Sequence, residues 1–475
     1  MNRVESWVSP VADWLSSVVF FALPLAEVEL PLVVLWLIAG AFYFTFRFRF
    51  VALWGFTHAL RLVSNKHTPS SGPGEVTHFQ ALTTAISGTV GIGNIGGVAI
   101  AVSAGGPGAA FWMILAGFLG MSTKFVECSL GVIYRRENPD GSVSGGPMYY
   151  LERGLGERGF KKLGRALGIF YAGGIVIGCL GIGNMFQSNQ AFVQMVGVTG
   201  GSTSWLADKG WLVGFLLALV VGLVIIGGIR SIAKVTARLV PFMAVLYLAG
   251  AYVVIAMNYE AIPWALGAMV THAFDWQAVG GGAIGAIVVG FQRAVFSNEA
   301  GIGSATIAHA AVKTSEPMTE GFVSLLEPFV DTIVICSATA LVIITTQYFE
   351  PGFSDGLGGI EMTSAAFERS FSWSPYPLAL AAILFAISTM IAWSYYGLKG
   401  WTYLFGENPR ATVFFQAVFC FFVLLGSVIQ LEAVLEISDA LVFLICVPNI
   451  LGLYLLAPVV KRELEAYLER TRSSQ

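Results

Sequence analysis

The stretch SGTVGIGNIGG, residues 87–97, places five glycines in eleven positions in the middle of a long apolar segment. Each glycine inside a helix costs about 1 kcal/mol relative to alanine. The sequence therefore predicts a membrane helix that is broken at this point. A break frees backbone amides and carbonyls, which hydrocarbon tolerates only where they face protein, ligand or water. The alternative use of such glycines is close packing between helices.

The composition around this stretch is that of a membrane protein. Hydrophobic residues make up 56% of the 475 residues and charged residues only 12%, against about 25% charged in soluble domains. We expect an all-α polytopic membrane protein with no large soluble domain. A net charge of −3 argues against a nucleic-acid partner, which needs a basic face. The five cysteines have no paired spacing and are predicted to be small core residues.

Eleven membrane spans are predicted from apolar stretches that lie between charged or Gly/Pro-rich breaks, because about 20 apolar residues suffice to cross the hydrocarbon. The predicted spans are residues 29–47, 76–103, 108–134, 166–197, 210–228, 236–258, 278–312, 319–347, 376–404, 411–430 and 434–459.

Charge asymmetry orients these spans, because lysine and arginine accumulate in loops that stay in the cytoplasm. Most of the 26 basic residues fall in loops on one side. This predicts an N-terminus outside, a C-terminus inside and a location in a bacterial-type inner (plasma) membrane. Residues 1–74 would form an interfacial segment and one extra span, and residues 461–475 a cytoplasmic tail.

A second apolar segment is interrupted near residues 290–306, which read GFQRAVFSNEAGIGSAT. With the first span set aside as an addition, the two interrupted spans are the first and sixth of the remaining ten. Because five is an odd number, two halves of five spans must be inverted relative to each other. Residues 75–258 and 276–460 are therefore predicted to form an inverted repeat. Broken helices at matching positions of such halves indicate a transporter binding site.

Five stretches resemble the alanine or glycine:cation symporters, also called the sodium:alanine symporter family. They are FQALTTAISGTVGIGNIGGVAIA (79–101), FWMILAGFLGMSTKFVE (111–127), GGPMYYLERGL (145–155), FSNEAGIGSA (296–305) and FAISTMIAWSYYG (385–397). The segment VGIGN, residues 90–94, is also similar to the unwound first helix of neurotransmitter:sodium symporters. Both resemblances imply a five-plus-five inverted-repeat (LeuT-like) fold, here with one extra N-terminal helix.

The resemblance implies a secondary active transporter that couples uptake of alanine, glycine or similar small neutral amino acids to sodium by alternating access. Sodium is the implied coupling ion, and no organic cofactor is implied. The alternative is a proton-coupled carrier of the same fold, with Glu299 or Glu327 as the titrating group. The implied partners are the amino acid and the lipid bilayer, and we expect a monomer.

Two other classes are less favoured by the sequence. An integral-membrane enzyme needs a catalytic constellation such as a His/Asp or His/Cys cluster, and none occurs at convincing spacing. A passive channel is not usually built from two inverted repeats with broken helices.

By similarity to the family, the substrate carboxylate is expected at the freed amides of Gly91, Ile92 and Gly93. The half-helix that follows presents its positive end there. The side-chain amide of Asn94 lies beside them in sequence. It can donate to the substrate or coordinate sodium through its oxygen.

Sodium is expected, by the same resemblance, between two backbone carbonyls and two hydroxyl groups. The carbonyls belong to Ser87 and Val90, and the hydroxyls to Ser388 and Thr389. In the absence of an ion, both hydroxyls could instead bond back to carbonyls one turn earlier in their own helix.

Four side chains complete the predicted substrate site: Gln187, Phe296, Thr389 and Trp393. Trp393 lies four residues after Thr389 and hence on the same helix face, where a bulky indole would shorten the cavity. Phe296 would cover the substrate as a lid, although core packing explains it equally well.

Charged residues inside the spans are expected to pair with other charged residues, because hydrocarbon disfavours lone charges. The predicted pairs are Lys124 with Glu127, Arg293 with Glu299, and Glu327 with Asp331. No two histidines share the spacing of metal ligands, so no metal site other than sodium is expected.

Overall fold

The computed structural model describes residues 10, 13–25, 28–64, 72–139, 141–275, 282–347, 350, 352–353, 357–429 and 432–473. This part of the chain is mainly helical. Its α-helices of eight residues or more are Leu32–Arg47, Phe56–Ser64, His78–Thr89, Gly96–Ile133, Pro147–Glu157, Lys161–Leu180, Phe186–Val198, Gly210–Ile225, Gly228–Met257, Ile262–Ala273, Gly282–Asn298, Ser337–Thr345, Gly359–Ser370, Pro375–Phe405, Pro409–Gly426 and Glu432–Ser473.

Seven helical stretches in the described residues are long and apolar enough to cross a bilayer. They are Ile92–Ile133, Lys161–Val198, Gly228–Met257, Pro317–Thr345, Pro375–Phe405, Pro409–Gly426 and Asp439–Arg472. Two shorter apolar helices, Leu32–Arg47 and Gly210–Ile225, also coincide with predicted spans. Each of the eleven predicted segments overlaps helix, but the predicted spans 76–103 and 108–134 share the long helix Gly96–Ile133. Gly106, at φ 66°, and Pro107 divide that helix.

Two short hairpins were not predicted from the sequence. Strand Ala22–Leu25 pairs antiparallel with Val28–Pro31, and Arg136–Glu137 pairs with Val143–Ser144. The first lies in the segment expected at the membrane interface. Neither hairpin has the long alternating pattern by which a strand is recognised in sequence.

Both predicted helix breaks are present in the structure. The helix His78–Thr89 begins with a capping box between Thr77 and Gln80 and ends before Val90. A single helical turn, Ile92–Asn94, separates it from the helix that starts at Gly96.

The second break separates the helix Gly282–Asn298 from the short helix Ala305–His309. The helix Gly282–Asn298 packs along Gly96–Ile133. Because each of these helices begins or ends at a break, the two breaks lie side by side. The helix Pro375–Phe405 packs against His78–Thr89 and supplies the third wall of the region. Of the five cysteines, all free, four are buried as expected and Cys420 is partly exposed.

Arg135 joins the residues before the first broken helix to those after the second. Its guanidinium donates to the carbonyls of Pro73, Ala310, Val312 and Thr314 at 2.7 to 2.9 Å. The amide of Glu75 donates to the Ala311 carbonyl in the same place.

Candidate functional site: the first helix break

The amides freed at the first break are held by side-chain oxygens. Gly91 N–H donates to Asn94 Oδ1 at 2.8 Å, and Ile92 N–H donates to Gln187 Oε1 at 3.5 Å. Because these acceptors are side chains rather than a helix ladder, a ligand carboxylate can replace them without unfolding a helix. The structure thus brings together four of the residues predicted to bind substrate.

Thr389 lies directly against this break. A methyl group added at Gly91 would lie 2.7 Å from Thr389 Oγ1 and 3.4 Å from Gln187 Oε1. The Thr389 hydroxyl is buried, and within the described chain it has no hydrogen-bond partner. It therefore does not bond back to its own helix, which was the alternative expected from the sequence. A buried polar atom without a partner is costly, so the site is suited to an added polar ligand or cation.

The neighbouring predicted sodium ligands connect the two helices directly. Ser87 Oγ donates to the Ser388 carbonyl at 2.7 Å, and Ser388 Oγ lies 3.4 Å from the Ser87 carbonyl. Ser388 also bonds back to the Phe385 carbonyl at 3.0 Å. Val90 has φ −76° and ψ 93°, so its carbonyl points away from the helix direction.

Asn94 makes its hydrogen bonds within the protein. Its Nδ2 donates to Asp331 Oδ1 at 2.6 Å and to Ser297 Oγ at 3.0 Å, while its Oδ1 accepts from Gly91. Both ends of its amide are occupied inside the protein. Asn94 therefore holds the break in place through both ends of its side-chain amide.

Sequence reasoning missed three residues that fix this turn. Ser297 also donates to Asp331 Oδ2 at 2.8 Å, and Thr339 Oγ1 donates to the Asn94 carbonyl at 2.9 Å. The sequence indicates that Asp331 is an intramembrane charge and predicts Glu327 as its partner. Nothing in the spacing indicates that it reaches the first break from a different helix.

A cavity of 570 Å³ opens beside the break. Its lining includes Ile92, Gly93 and Phe296 from the predicted site, together with Arg293 and Gln190. A methyl group on Gly93 would lie 3.5 Å from the Phe296 ring, so this ring lies directly beside the break. The residues Gly301 to Ser304 of the second break are not part of this lining.

Trp393 is fully buried beneath the cavity rather than lining it. Its Nε1–H lies 3.1 Å from Glu299 Oε1 and 3.3 Å from the Gly88 carbonyl. Its ring packs against Gly183, where an added methyl group would overlap the indole. One side chain thus connects the two breaks.

The predicted charge pairs are wrong. Lys124 donates to Glu327 Oε1 at 2.8 Å rather than to Glu127, although Glu127 shares its helix. Glu127 instead accepts from Gly301 N–H at 3.0 Å and from Asn449 at 2.8 Å. Spacing along one helix does not reveal that partners on other helices come closer.

The remaining predicted pairs also have other partners. Glu299 bonds to Ser304 and Trp393, and Asp331 bonds to Asn94, so neither makes its predicted pair among the described ion pairs. Arg293 lies over the Phe296 ring at 5.9 Å. The described residues contain no group of three potential metal ligands close enough to hold a metal ion.

A buried chain of ionisable groups extends from Lys124. Glu327 Oε2 lies 3.8 Å from His309 Nε2, and His309 Nδ1 lies 2.5 Å from Glu320. Glu320 also bonds to His78, at the start of the first broken helix. The chain thus connects both broken helices without passing through the cavity.

Comparison with known proteins identifies the family. The sequence profile described as "Sodium:alanine symporter family" matches residues 17–475. This chain belongs to the sodium:alanine symporter family. The symporter is therefore a multi-pass membrane transporter and not an enzyme.

Two relatives and one solved structure are similar to the symporter. The sodium/alanine symporter AgcS of Methanococcus maripaludis is 40% identical over 92% of this chain and 94% of its own length. The probable sodium/glutamine symporter GlnT of Bacillus subtilis is 32% identical over 94% and 89%. MhsT in complex with L-phenylalanine, at 15% identity and TM-score 0.56, covers 83% of this chain and 99% of that one. This last likeness shows a LeuT-type fold.

Two widened helical turns of the symporter lie next to the break. Gly181–Met185 carries the glycine that receives Trp393, and Phe329–Cys336 carries Asp331. Such π-type turns often occur at functional sites. They were not predicted, because only the GIG of Gly181 to Gly183 marks one of them in the sequence.

Proposed function

We propose that this protein takes up small neutral amino acids, alanine and glycine first among them, by sodium-coupled symport. The observation that carries the proposal is the buried hydroxyl of Thr389, which has no partner in the described chain and faces Gly91. Beside it, the amides of Gly91 and Ile92 are held by replaceable side-chain oxygens.

In this proposal the substrate carboxylate replaces those oxygens at Gly91, Ile92 and Gly93. Gln187 then contacts the substrate, and the lid is formed by Phe296. The break lies at the start of the helix Gly96–Ile133, where the helix dipole favours an anion.

Sodium binds beside the substrate, between the helices His78–Thr89 and Pro375–Phe405. Its ligands are the carbonyls of Ser87 and Val90 and the hydroxyls of Ser388 and Thr389. The reciprocal contacts of Ser87 and Ser388 already hold these groups close together. If ion and substrate both stabilise the same arrangement of the break, each raises the affinity of the other.

Substrate size is limited by Trp393, which fills the space beneath the break. Phe296 limits it from the side of the cavity. A methyl side chain fits such a site better than a leucine side chain. We therefore expect alanine and glycine to compete with each other, and leucine to compete weakly.

The test is uptake of labelled alanine into proteoliposomes under an imposed sodium gradient. Uptake should require sodium, and alanine affinity that stays the same when choline replaces sodium would contradict the coupling. Thr389→Val keeps the volume and removes the hydroxyl, so we expect at least a tenfold loss of uptake. The control is Thr402→Val in the same helix, because Thr402 is also buried but only bonds back to the Lys399 carbonyl.

A proton-coupled carrier is the second candidate. The buried chain from Lys124 through Glu327, His309 and Glu320 to His78 favours it, because such groups can pass a proton. Glu299, which bonds to Trp393, would link protonation to the binding site. Alanine accumulation driven by a pH gradient without sodium, and lost in His309→Gln, would select this candidate over sodium coupling.

We also propose the complete membrane architecture. It has eleven spans, an inverted repeat of residues 75–258 and 276–460, an N-terminus outside and a cytoplasmic C-terminus. The likeness to a LeuT-type structure and the two breaks support it. A C-terminal green fluorescent protein should fluoresce and a C-terminal alkaline phosphatase should be inactive. The opposite result would reverse the orientation. The expected monomer can be checked by light scattering in detergent.

A further inference from the structure

A second pocket, separate from the transport site, lies at the end of the apolar helix Leu32–Arg47. It is enclosed by this helix end, the turn that follows it, and the last turns of the helix Glu432–Ser473. Its volume is 380 Å³, and its lining includes Arg47, Arg49, Lys461 and Arg472. None of these residues takes part in the proposed transport site.

The charges of this pocket are unbalanced. Four basic side chains face one acidic residue, Glu465, which lies 3.8 Å from Lys461. Among the described ion pairs, none includes Arg47, Arg49 or Arg472. Arg47 Nε is moreover buried and lacks a hydrogen-bond partner in the part of the chain that the structure describes. An anion with several oxygens would satisfy these guanidinium groups, which suit phosphate in particular.

The turn between the helices holds the arginines together. Arg49 and Phe50 have φ of 51° and 57°, and the amide of Phe50 donates to the Thr45 carbonyl at 2.8 Å. The chain thus reverses immediately after Arg47, so Arg47 and Arg49 both reach the pocket.

Exposed apolar residues lie beside the basic pocket. Trp54 lines it, and Phe46 and Leu53 nearby are exposed over more than half of their surface. Aromatic residues at the end of a membrane helix are typical of the level of the lipid head groups. An inorganic anion would use only the arginines, whereas a phospholipid would use the arginines and the apolar rim together.

We propose that this pocket binds the phosphate head group of an anionic phospholipid. Basic pockets between membrane helices are suited to such head groups. The bound lipid connects the N-terminal extra helix to the last helix of the chain. The proposal is independent of which ion or amino acid the protein transports.

The test uses delipidated, detergent-purified full-length protein and native mass spectrometry. The probes are phosphatidylglycerol and phosphatidylcholine with identical acyl chains. Wild type should retain phosphatidylglycerol at least tenfold better than phosphatidylcholine. The triple variant Arg47→Gln, Arg49→Gln, Arg472→Gln should lose most of this preference.

The matched control is Lys161→Gln, Lys162→Gln, Arg165→Gln, which removes the same charge from an exposed basic cluster. It should keep the preference of wild type. An equal loss in both triple variants would show general electrostatic attraction, and no loss in the first would show that the pocket is not the site. Either result overturns the proposal. If the triple variant does not fold, Arg49→Gln alone should still lower phosphatidylglycerol retention several-fold, because Arg49 is exposed.

Inorganic phosphate distinguishes the two sources of the anion. In molar excess over lipid it should displace phosphatidylglycerol only weakly, because it cannot use the apolar rim. Trp54→Gln should reduce lipid retention and make the remaining lipid easier for phosphate to displace. Complete displacement of the lipid by phosphate, with no effect of Trp54→Gln, would identify an anion site without lipid recognition and refute the proposal.

Discussion

The two helix breaks share the sequence Gly-Ile-Gly, but their glycines serve different physical needs. At the first break the glycines allow close approach: a methyl group at Gly91 would meet Thr389 Oγ1 at 2.7 Å, and one at Gly96 would meet the amide of Ile360 at 2.8 Å. At the second break Gly301 and Gly303 have φ of 93° and 87°, a conformation that favours glycine. The same three residues thus allow close helix approach at the candidate site and form a sharp turn at the second break.

The groups that hold the two breaks differ as well. The amides of the first break bond to neutral oxygens of Asn94 and Gln187. The amide of Gly301 bonds to the carboxyl group of Glu127, and its carbonyl accepts from Asn449 at 2.8 Å. Both polar groups of the Gly301 backbone are thus held by residues of other helices. We infer that the first break rearranges around a ligand while the second stays fixed.

The largest effect is expected from Lys124→Met, which removes the positive charge near the second break. Glu327 would be left buried without its ion-pair partner, which costs about 3–5 kcal/mol of stability. The thermal midpoint in detergent should fall strongly. The double variant with Glu327→Leu should recover part of the loss, and Lys161→Met on the surface should have little effect. A double variant no more stable than the single one would contradict this explanation.

Gly91→Ala should separate binding from stability at the first break. The added methyl group meets Thr389 and Gln187, so we expect sodium-driven alanine uptake to fall about 100-fold, or about 2.7 kcal/mol, with little change in thermal midpoint. Gly173→Ala is the control, because a methyl group there has nothing within 4 Å and Gly173 does not line the cavity. Similar uptake by the two variants would show that Gly91 is not at the site.

Gly303→Ala should lower the stability of the protein and leave substrate binding unchanged. It forces a side chain into a positive-φ conformation and against Pro147 Cγ at 2.6 Å, at a cost of about 2 kcal/mol. The thermal midpoint should fall while the KM for alanine stays near that of wild type. Gly267→Ala, with open space around it, should not lower the midpoint. A raised KM with unchanged stability would assign the second break to the binding site.

Trp393→Phe tests the connection between the breaks and should have the smallest effect. It removes the N–H that reaches Glu299 and the Gly88 carbonyl. The loss of this hydrogen bonding costs about 1–2 kcal/mol. Uptake should fall about tenfold. Trp401→Phe in the same helix is the control, since the indole N–H of Trp401 has no hydrogen-bond partner among the described residues. Equal uptake by the two variants would mean that the breaks are not coupled through Trp393.

The existence and position of both breaks could be predicted from the sequence because glycine and buried charge are local signals. The grouping of Gly91, Gln187 and Thr389 followed from the resemblance to the family, not from spacing. Helix periodicity shows which residues share a face, as it did for Thr389 and Trp393. It does not show what faces them.

The partners of Asn94 and Lys124 could not be predicted for this reason. Each is fixed by a residue more than 200 positions away, Asp331 and Glu327 respectively. Tertiary packing brings these helices together, and one sequence does not specify which intramembrane charge meets which. The widened turn at Phe329–Cys336 could not be predicted either, because its residues carry no glycine or other local signal for it.

The guanidinium of Arg135 has a consequence for the temperature dependence of transport. Four carbonyls on two chain segments accept its bonds. If alternating access separates those two segments, several of these bonds must break together. The opening step then has a large activation enthalpy, and uptake will slow steeply on cooling. Arg135→Lys offers three donors for four carbonyls and should lower the slope of the Arrhenius plot.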